Sequence, residues 1–183
     1  HYPLARDIEI AVIDGYRGIG NGLFLPAGPL REPVSRLGEV DLVVTNGEKT
    51  GLIDNEFTMK ARATKFRNLM SGEIISAEQF AERVSGPLFA FSGIGNPDRF
   101  HYTLSELGLV PLVRVFPDHH VFSRMDLEVP MNAWVVVTEK DAQKIYSFSN
   151  LPTNCWVLEI VMEPEGAFSE AVERVFRRHG LIA

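Results

Sequence analysis

Residues 88–107, LFAFSGIGNPDRFHYTLSEL, read in order as a buried strand, a glycine turn and a helix. The run 88–92 is apolar and short, as a strand covered on both faces must be. Glycines follow at 93 and 95. Asn96 then stands where a helix N-cap belongs and Pro97 at the first helical position, predicting a helix over 97–107 that stops at Gly108. The same order recurs downstream. Residues 110–116 (VPLVRVF) read as a strand, and 124–131 as a helical or irregular connection. Residues 134–138 (WVVVT) read as a strand leading into a helix over 139–146. The strand 155–161 precedes a closing helix over 167–179 with Gly180 after it. Strand-then-helix repetition predicts an α/β fold with a parallel, doubly wound sheet.

Upstream, residues 76–84 (SAEQFAERV) predict a helix capped by Ser76. Residues 6–14 (RDIEIAVID) and 40–45 (VDLVVT) predict two more strands, joined by a long glycine- and proline-rich stretch over 15–36. A link of that length suits parallel neighbours, and an irregular stretch so long is usually functional or mobile. In between, Phe57, Met59, Ala61 and Ala63 alternate with Thr58, Lys60, Arg62 and Thr64, the period of a half-exposed strand. With 66–70 pairing back, they predict a small two-stranded β linker. The expected organisation is therefore the end of one lobe at 1–54, the linker at 55–72 and a second α/β lobe at 73–183.

The 183 residues carry 18 Lys+Arg against 24 Asp+Glu, a net charge of −6, and 45% are hydrophobic. This is globular composition, and its acidic balance argues against nucleic acid as a partner. The longest apolar runs, 88–91 and 134–137, are too short to span a bilayer, so the chain itself is expected to be soluble. The lone cysteine, Cys155, excludes an internal disulfide and reads as an inert buried residue. A chain opening at His1, without an initiator methionine, is expected to be a piece of a longer protein.

Five places carry residue types suited to chemistry. The turn Ser92, Gly93, Gly95, Asn96 can aim backbone amides at an anion, or can simply be a tight strand–helix turn. Asp118, His119 and His120 follow a predicted strand, where α/β proteins place their chemistry. Adjacent histidines beside an aspartate serve as an oriented general base or as metal ligands, and His119 is the preferred base. Thr138 with Asp141 suits a helix cap, while Lys140 and Asp141 also suit contact with a nucleotide. Arg31 and Glu32 can bind phosphate and metal or form a surface ion pair. Lys60, Arg62, Lys65 and Arg67 can meet anionic lipid headgroups or form the wet face of the linker.

Five phrases in order, GNGLFLPAGPLREP (20–33), VVTNGE (43–48), FAFSGIGNPDRF (89–100), FPDHH (116–120) and VVTEKDAQK (136–144), make the chain resemble the bacterial tetraacyldisaccharide 4'-kinases, the lipid A 4'-kinases. The resemblance covers essentially the whole chain. It implies a P-loop NTPase-like architecture of two α/β/α lobes with a β linker, a Rossmann-like second lobe, and transfer of the ATP γ-phosphoryl to a lipid A disaccharide precursor. It implies Mg2+, and a full-length enzyme at the cytoplasmic face of the inner membrane. His119 would pair with an aspartate outside this sequence. His1, Arg31 and Glu32 would line the cleft from the first lobe, while Ser92–Asn96 and Thr138, Lys140 and Asp141 would face the cleft or nucleotide. No Gly-x-x-x-x-Gly-Lys-[Ser/Thr] phrase occurs in the chain, so the ATP-phosphate cradle and the metal carboxylates are expected elsewhere, and this piece alone is expected to be inactive. Two alternatives are a non-catalytic α/β binding module and a metal-dependent phosphoesterase built on Asp118, His119 and His120.

Overall fold

A computed structural model describes residues 5–118, 120–148 and 151–182. The chain forms two compact units, one of residues up to Ala61 together with those from Met162 onward, the other of Arg62–Val161. The strands β3 (Glu56–Asn68) and β8 (Cys155–Pro164) run through both.

In the first unit, β1 (Ile10–Asp14) and β2 (Leu42–Asn46) pair in parallel, and β2 pairs in parallel with the start of β3. The closing helix α4 (Phe168–Arg178) places apolar residues at 168, 171, 172 and 175, one stripe of a 3.6-residue period. Ala171 and Val175 pack on Leu42, and the Phe168 ring meets Phe57 edge-on at 5.5 Å. Asp41 ties the helix end to the strands. It accepts the Glu9 N–H at 2.9 Å, pairs with Arg178, and lies 3.0 Å from His179 Nε2. The Glu9 amide and then His179 hold the Asp41 carboxyl below its ordinary value. A depressed carboxyl stabilises the fold above its unfolded pKa and loses that contribution as pH falls through the folded value. The melting temperature of Asp41→Ala is therefore expected to lie below that of the parent protein at neutral pH, with the gap closing below about pH 4. A gap unchanged by acid would refute the tether.

In the second unit, β5 (Leu88–Ser92) lies between β6 (Leu112–Val115) and β7 (Trp134–Thr138), and β7 pairs with β8, all in parallel. The strand β8 neighbours β3, on whose end β4 (Ile74–Ser76) pairs antiparallel. Side chains alternate across β5. Leu88 and Ala90 join a cluster with Phe80 of α1 (Ala77–Arg83) and with Phe100 and Leu104 of α2 (Pro97–Glu106). Phe89 and Phe91 join the opposite cluster with Ala142 and Ile145 of α3 (Glu139–Ile145). Both faces are thus covered, giving the expected three-layer α/β/α arrangement. Ser76 and Gln79 form a reciprocal capping box at the start of α1. Cys155 is fully buried, and burial pushes its thiol up to about 12, so it is inert as expected.

Three local expectations are revised. Residues 66–70 do not pair back on 57–64. Phe66 continues β3, stacked at 3.7 Å on Phe80, and the hairpin is instead that of β3 with β4. The helix assigned to the second lobe groups with the first unit, because its apolar stripe packs on Leu42. Asn96 holds the N-cap position of α2 but makes no capping bond with its side chain. Along β3, Lys60 pairs with Glu165 and Arg67 with Glu159, both at 3.0 Å. No helix among the described residues is long and apolar enough to cross a membrane.

Candidate functional site

The carboxyl ends of β5, β6 and β7 bring together three of the phrases singled out in the sequence. Parallel strands end on the same edge of a sheet, so the turns after them must meet. Phe116 N–H donates to the Ser92 carbonyl at 2.8 Å, joining the loop after β6 to the turn after β5. A Cβ built on Gly93 would lie 3.2 Å from Asp141 Oδ1, 3.5 Å from the Pro117 carbonyl and 3.6 Å from His120 Cβ. One on Gly95 would lie 3.7 Å from Asp118 Oδ2. A side chain at 93 would press on the Asp141 carboxylate, whereas one at 95 would meet Asp118 only in ordinary contact.

Two ion pairs of opposite character sit in this cluster. At the exposed rim, Lys140 Nζ donates to Asp118 Oδ1 at 2.9 Å, with both side chains nearly half exposed. Beneath it Asp141 is fully buried. Its Oδ2 accepts the Gly93 N–H at 2.9 Å and the Thr138 hydroxyl at 2.8 Å, and its Oδ1 accepts Lys144 Nζ at 2.9 Å. Thr138 in turn caps α3 by accepting the Asp141 N–H at 3.1 Å. The cap is the expected one. The carboxylate of Asp141 is buried against the glycine turn. Ser92 is also buried, and its hydroxyl has no hydrogen-bond partner among the described residues.

His120 is held as part of the wall. Its Nε2 lies 3.1 Å from Asp126 Oδ2, its ring stacks on Phe116 at 4.7 Å, and Phe122 meets it edge-on at 5.1 Å. The Ser123 N–H, the Ser123 hydroxyl and His120 together hold Asp126 below the usual carboxylate range. Arg114 braces the same loop, donating to the Asp126 and Glu128 carbonyls while its guanidinium lies about 5 Å over the Phe89 and Phe91 rings. The preferred base, His119, lies outside the described residues, as does His1.

In the first unit, the 15–36 stretch is an ordered loop. Asn21 Nδ2 donates to the Ala27 carbonyl, Leu25 N–H to Leu30, and Leu30 N–H to Leu23. A Cβ on Gly28 would fall 2.2 Å from Asn21 Oδ1, so only glycine fits that turn. Arg31 and Glu32 follow directly. Glu32 lies 3.6 Å from Arg36 and lines a cleft of about 630 Å3 along β1 with Asp14 and Leu30.

Sequence reasoning missed three residues. Lys144 stands one helical turn after Asp141, a spacing that was available as a signal. Asp126 reaches His120 through an irregular loop, for which no local signal exists. Glu56, an acidic residue opening an alternating strand, is buried at 3% exposure. It accepts the Thr45 hydroxyl, the Thr50 N–H and hydroxyl, and the Gly51 N–H.

Among the described residues no group of three or more His, Cys, Asp or Glu is placed to hold a metal ion. His120 is bonded to Asp126 and His179 to Asp41, while burial on α2 lowers the pKa of His101.

Residues 1–177 match the sequence family described as LpxK, tetraacyldisaccharide-1-P 4'-kinase. A tetraacyldisaccharide 4'-kinase of Hahella chejuensis is 43% identical over 173 residues, covering 94% of this chain and 49% of its own length. One from Dechloromonas aromatica is 41% identical over 181 residues, covering 97% of this chain and 53% of its own length. The chain spans about half the length of the curated relatives it matches. Among solved structures, the crystal structure of LpxK from Aquifex aeolicus in complex with ATP superimposes with a TM-score of 0.65 at 24% identity. It covers 94% of this chain and 54% of the Aquifex chain, and at that identity it speaks for the fold.

Proposed function

The chain belongs to the tetraacyldisaccharide-1-P 4'-kinase family, and from that premise we propose that it is the C-terminal half of an ATP-dependent lipid kinase. The reaction is transfer of the γ-phosphoryl of ATP to the 4'-hydroxyl of tetraacyldisaccharide 1-phosphate, a lipid A precursor, at the cytoplasmic face of the bacterial inner membrane. The observation that carries this reading is the family match over residues 1–177.

In this reading His119 takes the proton of the attacking hydroxyl, paired with an aspartate outside this sequence. Asp118 sits beside it in sequence, its carboxylate fixed by Lys140 at the open rim. The turn of Ser92, Gly93, Gly95 and Asn96 and the phrase of Thr138, Lys140 and Asp141 shape the wall next to that loop. By the family resemblance, His1, Arg31 and Glu32 are assigned to substrate binding. Mg2+ neutralises developing charge in such transfers. By the family resemblance, its ligands are assigned outside this chain.

The test is product formation by the full-length protein carrying this sequence, given radiolabelled ATP and the tetraacylated disaccharide 1-phosphate in detergent micelles. Label entering the lipid only when both are present is expected. ATP consumption that is indifferent to the lipid would overturn the proposal. The 183-residue chain alone is expected to transfer no label, because it contains no Walker A phrase.

A further inference from the structure

The buried charge in the second unit is concentrated on the backbone of one residue, Gly93. Asp141 Oδ2 accepts the Gly93 N–H at 2.9 Å, and Lys144 Nζ donates to the Gly93 carbonyl at 3.3 Å. The acid and base are themselves paired at 2.9 Å. Asp141 is fully buried and the Lys144 side chain is 23% exposed. A buried ion pair is a poor way to add stability, because apolar residues of similar volume usually do as well or better. Its distinctive property is direction. Gly93 has no side chain by which packing can anchor it, and it sits where three loops converge. A carboxylate on its N–H and an ammonium on its carbonyl fix the two peptide groups that flank it. The grip extends outward, since the carbonyl of the same Ser92–Gly93 peptide accepts the Phe116 N–H at 2.8 Å, and the Lys144 ammonium lies 5.6 Å from the centre of the Phe122 ring.

We propose that Asp141 and Lys144 are positioning residues for the phosphoryl transfer: by clamping the Gly93 backbone they hold in place the loop that follows β6, whose sequence includes the proposed base. The effect on turnover rests on the kinase reading above, whereas the effect on the loop does not. A base must be placed within a fraction of an ångström, and a misplacement of about 1 Å can cost a hundredfold in rate.

The experiment compares Asp141→Ala, Asp141→Asn and Lys144→Met with the parent full-length protein, by amide hydrogen exchange and steady-state kinetics. Asp141→Ala and Lys144→Met are expected to accelerate exchange in 91–96 and 116–122 by about tenfold or more, leaving β7 and β8 protected. They are expected to lower kcat by about tenfold or more with the KM for ATP nearly unchanged. Asp141→Asn keeps an acceptor for the Gly93 N–H and is expected to recover much of both. Unchanged exchange in 116–122 in the folded variants overturns the clamp. A loosened loop with unchanged kcat overturns its role in the reaction. If the parent protein itself lacks lipid kinase activity, the kinase reading fails while the exchange data still decide the clamp. Should Asp141→Ala fail to fold, Lys144→Met, altered at a partly exposed helix position, decides both questions.

Discussion

His119→Ala in the full-length protein is expected to lower kcat by about 10²–10⁴-fold, the range of a lost general base, and His120→Ala by far less. The two histidines are adjacent but not equivalent. His120 is bonded through Nε2 to Asp126 and packed between Phe116 and Phe122. Its removal costs about 0.5–1.5 kcal/mol of ring packing and loosens a wall. It does not remove a group free to exchange protons with substrate. Steady-state rates of both variants, measured with melting temperatures, separate the two effects. Equal losses, or a larger loss at His120, would reverse the assignment. The order of effects follows from the contacts of His120 and from the family resemblance that nominates His119.

A second large effect is expected at Glu56. Parallel strands are usually joined by a dozen or more residues, yet β2 ends at Asn46 and its parallel neighbour β3 begins at Glu56. The loop makes that return by converging on one carboxylate, which accepts the Thr45 and Thr50 hydroxyls and the Thr50 and Gly51 amides. Burial pushes the Glu56 carboxyl up, but these donors together outweigh it and hold it below the ordinary value. Glu56→Ala strands several buried donors at once and is expected to destabilise the protein by about 3–5 kcal/mol. Glu56→Gln, which replaces one acceptor oxygen with a donor, is expected to cost less than alanine but more than a surface substitution. The contribution of Glu56 is present above the unfolded carboxyl pKa and fades as pH falls through the depressed folded value. Urea unfolding at neutral pH and near pH 4 measures both. A loss under about 0.5 kcal/mol, the size of an ordinary surface change, would show that the loop closes without it.

Much of the second unit was legible in advance because its signals are local. The runs 88–92 and 134–138 coincide with β5 and β7, since a strand covered on both faces must be largely apolar. Ser76 and Thr138 announced their helices through hydrogen bonds that span three residues. The strand–turn–helix order placed the turns after β5, β6 and β7 at one sheet edge. Other features were less accessible. The period-2 alternation of 57–64 identified a strand but not its partners, because alternation describes faces and says nothing about which edge is paired. The amphipathic stripe of α4 required an apolar surface to cover, and nothing in the stripe named Leu42.

The sequence by itself determined the α/β class, the strand–helix order of the second unit from residue 88 to 145, the family and the three phrases that share the second unit's sheet edge. These depend on periodicity, on capping residues within a turn of one another, and on phrases long enough to be specific. Tertiary structure decided which acid does what. Asp118, Asp126 and Asp141 are chemically the same side chain. One is half exposed against Lys140, one orients His120, and one is buried on the Gly93 peptide. A carboxylate's role is set by its burial and by the donors around it, and those donors come from residues up to 48 positions away.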